Sequence, residues 1–258
     1  APVHVLLPYA PAAEELEKPE GILIWYIDEN GNVSAIPSSW YRQSDGAVSF
    51  STTHFSDFAV AYNRLEFNDV PDNAWYSTAV SFIAARGITA GTGNNNYSPD
   101  MKLTRGQYIT MIMRAYGLEP DKNPGDNFTD AGNTWYTGYL AAAKRLGIAR
   151  RVGNNMFAPD KEITRQEMFT LLYNILVALN QLPTPTDITD ENSIDSTQIH
   201  SSKDFDFLDK DEIDDWAGEA IIALAEAGVI RGSSGKIMPR GISTRAEMAQ
   251  VIYNLMTR

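Results

Sequence analysis

The chain has 258 residues, of which 43% are hydrophobic and 10% aromatic, a composition that allows one or two domains with real cores and excludes disorder throughout. It contains no cysteine, which excludes disulfides, thiolate metal sites and cysteine nucleophiles. A formal net charge of -12 argues against binding of nucleic acid. No apolar run approaches the roughly 18 residues that span a bilayer, so we expect no membrane insertion.

Residues 1–63 have the pattern of a β-rich segment without a helix. Runs of β-branched and aromatic residues alternate with turn-forming residues, at positions 3–7, 22–27, 33–36, 47–53 and 55–62. The Asp-Glu-Asn-Gly-Asn stretch at 28–32 predicts a hairpin turn between two of these runs. Because about sixty residues of strand make a marginal domain, the segment is either the end of a larger β-sandwich-like domain or a small sheet docked on the helical part of the chain.

From residue 67 the chain repeats one helical pattern three times. In each copy a tryptophan precedes a glycine by twelve residues, and the pairs are Trp75 and Gly87, Trp135 and Gly147, and Trp216 and Gly228. Each copy predicts a first helix that begins at the tryptophan, a left-handed glycine cap, a loop and a second helix. Because two helices cannot bury both their apolar faces alone, we expect the copies to pack on one another.

The predicted repeats span residues 64–120, 121–182 and 204–258. Residues 183–203 separate the second repeat from the third, and they are rich in Thr, Ser, Asp and Pro without hydrophobic periodicity. This composition predicts a solvated linker or inserted loop.

A threonine-arginine motif precedes each second helix. The copies are Thr104-Arg105-Gly106-Gln107, Thr164-Arg165-Gln166-Glu167 and Thr244-Arg245-Ala246-Glu247. Threonine followed three residues later by Glu or Gln predicts a capping box. The arginine is not explained by capping, because a cation in the first turn opposes the helix macrodipole. Each arginine is therefore a candidate for binding an anion, or for a salt bridge to the adjacent copy.

These motifs resemble the S-layer homology module over about residues 65–258. Its signature includes the acidic entries at 67–69, 128–130 and 207–209, the Gly-Ile-Thr-Ala-Gly at 87–91, the Tyr-Ser-Pro-Asp loop at 97–100 and the threonine-arginine motif. The resemblance implies a mainly α fold, in which three helix-loop-helix repeats form a pseudo-threefold assembly with a central helical bundle beside the small β segment.

The resemblance also implies a function. It indicates a non-enzymatic, secreted module at the cell surface of a Gram-positive bacterium, where it anchors a surface protein to secondary cell-wall polysaccharide of the pyruvylated N-acetylmannosamine type. Neighbouring S-layer subunits are a second class of partner. The binding grooves would lie between neighbouring repeats.

The ligand-binding residues that the resemblance implies fall into two charged classes. The pyruvate carboxylate would be held by the guanidinium groups of Arg105, Arg165 and Arg245. Helix-terminal N–H groups beside these arginines would point at the same anion. The acidic residues would shape the groove or bond sugar hydroxyls; they are Asp69, Asp130 and Asp209.

Uncharged residues complete the predicted sites. Flat surfaces for a sugar ring would come from Trp75, Trp135 and Trp216, although core packing is their favoured role because they start the apolar stripe of each first helix. Gly91 and Gly232 are the glycines that we expect where a ligand approaches the backbone closely.

Departures from the repeat pattern predict three unequal grooves, of which the second is the least certain. Arg151 stands where the other repeats have Gly91 and Gly232. In the third repeat Arg240 replaces the Asp of the other two loops. In the first repeat Gln107 replaces the capping glutamate, and we expect it to cap the helix as the glutamate does.

We expect no metal site, cofactor or catalytic group. His4, His54 and His200 are far apart in sequence, and the stretch at 28–32 begins like a calcium loop but lacks its final glutamate. No nucleophile elbow or phosphate-binding loop occurs. Two alternatives to polysaccharide binding stay open: a structural or oligomerisation module that binds neighbouring protein in a surface lattice, and an anchor for an upstream glycoside hydrolase.

Overall fold

The structure is a computed structural model, and it describes residues 3–52, 54, 56–150, 153–182, 207–230 and 232–257. The predicted linker at 183–203 lies outside the described residues, as do Arg151, His200, the first residues of the third repeat, and Thr53 and Phe55 at the ends of two predicted strands.

Two antiparallel three-stranded sheets form the N-terminal segment. One has the order β1 (Val3–Pro8), β5 (Ala47–Thr52) and β4 (Trp40–Arg42), and the other the order β3 (Val33–Ala35), β2 (Ile22–Ile27) and β6 (Asp57–Tyr62). Side chains from both sheets share one core, built around Ile22 and Ile24 of β2 and Val48 and Phe50 of β5. The sheets therefore pack face to face.

The hairpin turn at 28–32 is confirmed. β2 pairs with β3 with Ile27 opposite Val33, and Gly31 has a φ of +78°. The Asp28 carboxylate accepts hydrogen bonds from the backbone N–H groups of Asn30 and Asn32 and from the Asn32 side chain. The carboxylate that suggested a calcium loop is thus engaged by the turn itself.

The prediction of a mainly α chain was wrong. Beside its seven α-helices, the described part of the chain has six strands in two sheets. The N-terminal segment also contains a short helix, α1 (Ala13–Glu17), and the strand β4, neither of which the sequence pattern predicted. The error arose because the helical repeats set the fold class, while residues 1–63 build a sandwich with a core of its own.

Each repeat contributes two helices, as predicted. They are α2 (Ser77–Ala85) and α3 (Arg105–Ala115) in the first repeat, α4 (Thr137–Arg145) and α5 (Arg165–Ala178) in the second, and α6 (Asp215–Glu226) and α7 (Arg245–Met256) in the third. The glycine caps are confirmed: Gly87, Gly147 and Gly228 all have positive φ and follow the first helix of their repeat. None of the helices in the described ranges is long and apolar enough to cross a membrane.

Helices of different repeats pack together, as the sequence required. The chain divides into two compact units, one of Ala1–Met101, Thr110–Glu119 and Thr244–Arg258, the other of Lys102–Ile109 and Pro120–Ser243. In the first unit α2 packs on α7, with the ring centroids of Phe82 and Tyr253 5.2 Å apart. In the second unit α5 packs on α6. Each pair therefore joins two repeats.

A buried arginine fastens the β segment to α2. Arg86 follows the helix, is 4% exposed, and lies with its guanidinium carbon 3.5 Å from the Phe82 ring centroid. It donates five hydrogen bonds, all to backbone carbonyls, of Ser39, Glu20, Phe82 and Ile22. Burial lowers the pKa of Arg86 to about 9, so the side chain remains charged at neutral pH. A cation at this helix end also complements the macrodipole.

Three backbone hydrogen bonds form a closed ring in the second unit. Leu103 N–H donates to Ser243 O (2.9 Å), Ser243 N–H donates to Ile163 O (3.3 Å), and Ile163 N–H donates to Leu103 O (2.9 Å). Each residue immediately precedes the threonine of a threonine-arginine motif, and all three are fully buried. The ring therefore joins the three chain segments that lead into the motifs.

The serine of this ring generates a stability prediction. Ser243 Oγ is buried and has no hydrogen-bond partner among the described residues, at a position where the other repeats have Leu103 and Ile163. We expect Ser243→Ala to raise the free energy of unfolding by about 1 kcal/mol in urea titrations, because a buried unpaired hydroxyl is removed.

Ser39→Ala is the matched control, since Ser39 is equally buried but accepts from Ile24 N–H and donates to Ile36 O. Its removal should lower the free energy of unfolding by about 1–3 kcal/mol. Equal losses in the two variants would contradict the assignment of Ser243 as unpaired.

Candidate ligand-binding sites

The capping boxes are confirmed at all three motifs. Thr164 Oγ1 accepts from Glu167 N–H while the Glu167 carboxylate accepts from Thr164 N–H, and Thr244 and Glu247 do the same. In the first repeat Gln107 replaces the glutamate without loss of the box, because its Oε1 accepts from Thr104 N–H at 3.2 Å. Thr and Glu or Gln are therefore accounted for by the helix end.

The helix-terminal N–H groups beside the arginines are not aimed at a ligand, contrary to expectation. Arg105 N–H donates to Lys161 O and Gly106 N–H donates to Pro159 O, so both bond to the loop of the next repeat. The equivalent groups of the other motifs also donate to loop carbonyls, and the acceptors are Gly241, Pro239, Met101 and Pro99. An anion at these sites must therefore be held by side chains.

Each motif arginine is docked by its Nε–H onto the loop of another repeat. Arg105 donates to Phe157 O at 2.9 Å, Arg165 donates to Ile237 O at 2.8 Å, and Arg245 donates to Tyr97 O at 2.8 Å. We name these the first, second and third arginine sites.

Aromatic rings lie under all three guanidinium groups, and the ring beneath Arg165 is Phe169 of its own helix, at 5.3 Å. The guanidinium carbon of Arg105 is 4.5 Å from the Phe157 ring centroid, and that of Arg245 is 4.6 Å from the Tyr97 ring centroid. Both distances fall within the range of cation–π attraction. Together with the Nε–H bond, this stacking fixes the plane in which the remaining N–H groups point.

The three predicted aspartates hold the loops on which the arginines dock. The two oxygens of Asp69 accept from Tyr97 N–H and Ser98 N–H, both at 2.7 Å. Asp130 and Asp209 make the same pair of bonds to residues 157–158 and 237–238, at 2.7–2.9 Å. The second residue of each pair has positive φ although it is not glycine, and these residues are Ser98, Ala158 and Met238. The carboxylates therefore stabilise a strained backbone.

Gly91 and Gly232 permit a close approach by the chain itself. A Cβ on Gly91 would lie 2.4 Å from Asn96 O and 2.8 Å from the Phe67 ring. A Cβ on Gly232 would lie 2.8 Å from Lys236 O and 3.1 Å from the Phe207 ring. Internal packing therefore requires glycine at both positions.

The tryptophans are on the surface, so the prediction of core packing was wrong. Trp75, Trp135 and Trp216 are 63%, 58% and 53% exposed. Two of them precede their helix rather than start its apolar face, since α2 begins at Ser77 and α4 at Thr137. Exposed indole rings are available to stack on a ligand, and those of Trp75 and Trp135 pack edge-on against the neighbouring Tyr76 and Tyr136.

The first and third arginine sites differ in charge. Arg105 is 5% exposed and pairs with the Glu167 carboxylate at 3.1 Å. Arg245 is 4% exposed, and besides the Nε–H bond its guanidinium makes a weak hydrogen bond within the described residues, from Nη2 to Thr89 Oγ1 at 3.3 Å. No carboxylate in the described part of the chain forms an ion pair with Arg245. The third site therefore has a buried cation without a directly paired carboxylate, although Asp69 lies near enough to raise the pKa of Arg245.

Neighbouring groups act on the pKa of both arginines. Burial lowers the pKa of Arg105 and of Arg245, and this effect is opposed by Glu167 and Asp130 for Arg105 and by Tyr97 and Asp69 for Arg245. Burial also raises the pKa of Glu167, but the Thr164 N–H, Arg105 and Lys161 outweigh burial, so the pKa lies below its ordinary value. Glu167 is thus ionised at neutral pH and neutralises Arg105.

Several residues of these sites were missed by sequence reasoning. No local sequence pattern indicates that an arginine far away in sequence contacts the rings of Tyr97 and Phe157, the left-handed loop residues or the Thr89 hydroxyl. One signal was available: each predicted aspartate precedes its loop by 27 or 28 residues in all three repeats. No group of three or more metal-ligating side chains occurs within the described ranges.

The sequence matches known proteins along its whole length. The family profile of the S-layer homology domain matches residues 66–109, 127–169 and 206–249, together just over half of the chain. An amylopullulanase of Thermoanaerobacterium thermosulfurigenes is 28% identical over the entire chain, which spans 13% of that protein. The exoglucanase XynX of Acetivibrio thermocellus is 31% identical over 95% of the chain, and the S-layer protein sap of Bacillus anthracis is 28% identical over 72%.

The chain spans about a fifth or less of the length of each of these relatives. The three matched ranges contain all three arginines and all three aspartates of the sites described above. The chain therefore belongs to the S-layer homology family, whose domains are non-catalytic modules that anchor secreted proteins to the cell wall at the surface of Gram-positive bacteria.

Proposed function

We propose that this chain anchors its protein by binding a secondary cell-wall polysaccharide that carries pyruvate ketals on N-acetylmannosamine, with Arg245 as the principal carboxylate-binding group. The observation that carries the proposal is the buried guanidinium of Arg245, with which no carboxylate of the described residues forms an ion pair. A buried cation gains most from a partner anion, because little water competes for it.

The donors left on Arg245 suit a carboxylate. Of the five N–H donors of a guanidinium, Nε–H bonds to Tyr97 O and one Nη2 donor bonds to Thr89 Oγ1. The remaining N–H groups are held in one plane by these bonds and by the Tyr97 ring, so little rotamer entropy is lost on binding. Lysine has a single, freely rotating ammonium and offers no such plane.

Arg105 is a weaker binder in this proposal, because an incoming carboxylate must compete with Glu167. A cell-wall polymer presents many pyruvyl groups, and one good site with one or two weaker ones gives retention through avidity. The cargo carried by the anchor is a polysaccharide-degrading enzyme or an S-layer subunit, as the names of the relatives suggest.

Replacement of the arginines tests the ranking of the sites. We expect Arg245→Ala to lower the affinity for purified pyruvylated wall polysaccharide by about ten- to a hundredfold in calorimetry, because a charge-assisted contact contributes about 1.5–3 kcal/mol. Arg105→Ala should change the affinity less than threefold. The pyruvate-free polysaccharide is the ligand control. Equal binding of the two polymers would reject the carboxylate as the recognised group.

Glu167→Gln tests whether the first site is closed by its own counter-ion. Gln keeps the capping box, as Gln107 does in the first repeat, but leaves Arg105 without an anion. In an Arg245→Ala background we expect this substitution to restore affinity for the pyruvylated polymer by roughly tenfold. Glu162→Gln is the matched control, because Glu162 forms an exposed pair with Lys102. No gain from Glu167→Gln would mean that the salt bridge does not limit the first site.

A further inference from the structure

A cavity of about 490 Å³ lies beside the third arginine site, between the β segment and the first repeat. It is lined by Trp25 and Ala35 of the β2–β3 hairpin, by Asn63 and residues 65–67 of the connection, and by residues 84–87, 89, 90 and 95 of the repeat. Cavities of this size hold small organic ligands. Residues 1–63 lie outside the ranges that the family profile matches, so this wall of the cavity belongs to the β segment rather than to the repeats.

Trp25 presents an open aromatic surface to the cavity. Along β2, Ile22 and Ile24 face the core between the sheets, so Trp25 faces the opposite side, where it is 38% exposed. Its direct partners on the two neighbouring strands are Ala35 and Ala59. Partners on the same face of a sheet normally cover a large ring, and alanine is too small to do so. The indole is thus available for stacking.

Two residues connect the cavity to the third arginine site. Thr89 lines the cavity and accepts the hydrogen bond from Arg245 Nη2. Phe67 also lines it and packs at 5.6 Å on Tyr97, the ring that stacks on Arg245. The cavity and the third arginine site therefore share Thr89 and the Phe67–Tyr97 ring pair as a common wall.

The charges of the lining select a neutral occupant. The only cation among the lining residues is Arg86, and its donors all bond to backbone carbonyls. The Glu66 carboxylate is paired with Arg64, so the lining offers no free cation that would hold an anion. Asn63, Glu66 and Asn95 provide amide and carboxylate oxygens that accept hydrogen bonds from hydroxyl groups. An aromatic surface with such acceptors at its rim fits an uncharged sugar ring.

We propose that this cavity is a second saccharide subsite, in which Trp25 stacks on an uncharged sugar unit of the same polymer whose pyruvylated unit binds Arg245. The subsite rests on the proposed function, and it makes the β segment part of the binding surface. The walls are fixed in advance, because Asn63 Nδ2 donates to Ala85 O and Arg86 joins β2 to α2.

The experiment compares two ligands: pyruvylated N-acetylmannosamine alone and the pyruvylated polysaccharide. We expect Trp25→Ala to lower the affinity for the polysaccharide about fivefold to tenfold, as is typical of one stacked ring, and to leave the affinity for the monosaccharide unchanged. Ala35→Leu, which fills the cavity, should have the same effect. Arg245→Ala should weaken binding of both ligands.

Val33→Ala is the control for the hairpin, since Val33 is 51% exposed on β3 and does not line the cavity. Unchanged polysaccharide affinity in Trp25→Ala would overturn the subsite while the proposed function stands. An equal loss for both ligands in Trp25→Ala would also overturn it, because the tryptophan would then act on the carboxylate site. Unchanged binding in Arg245→Ala would instead reject the proposed function.

Discussion

The hydrogen bond from an arginine Nε–H to a loop carbonyl, made three times, is the contact on which the repeats depend. In each case the arginine opens the second helix of one repeat and the carbonyl belongs to the loop of another. The bond places a cation at the unfavourable end of its own helix. That position is tolerated because the loop carbonyls accept both the side-chain N–H and the first backbone N–H groups, so the polar groups at this helix end are satisfied.

The carboxylates around this contact have separate structural tasks. Asp69, Asp130 and Asp209 each accept two backbone N–H groups and thereby hold the loop that receives the arginine. Glu167 completes a capping box and also pairs with Arg105. The first and third sites differ in whether a further carboxylate forms an ion pair with the guanidinium. It does at Arg105, and at Arg245 none does within the described residues.

Local features were predictable from the sequence, and contacts between repeats were not. Capping boxes, glycine caps and the 28–32 turn depend on a few consecutive residues, and the structure has all of them where the sequence indicated. The tryptophans were misjudged because helical spacing shows which residues share a face, whereas exposure depends on which repeat covers that face. The roles of Asp69 and its equivalents depend on loops 27 or 28 residues away, which spacing alone does not orient. The strand β4 is three residues long, too short for a periodic signal.

The overall charge gives the buried arginines their significance. A net charge of -12 repels an anionic polymer at long range, so attraction must arise from a few cations at short range. Exposed lysines and arginines paired with surface carboxylates, such as Arg145 with Asp121, add little. Arg245 differs because burial removes competing water and because its geometry is fixed before a ligand arrives. Under the proposed function, specificity for a carboxylate in a chain of this charge therefore depends on where a cation is buried rather than on how many cations the surface carries.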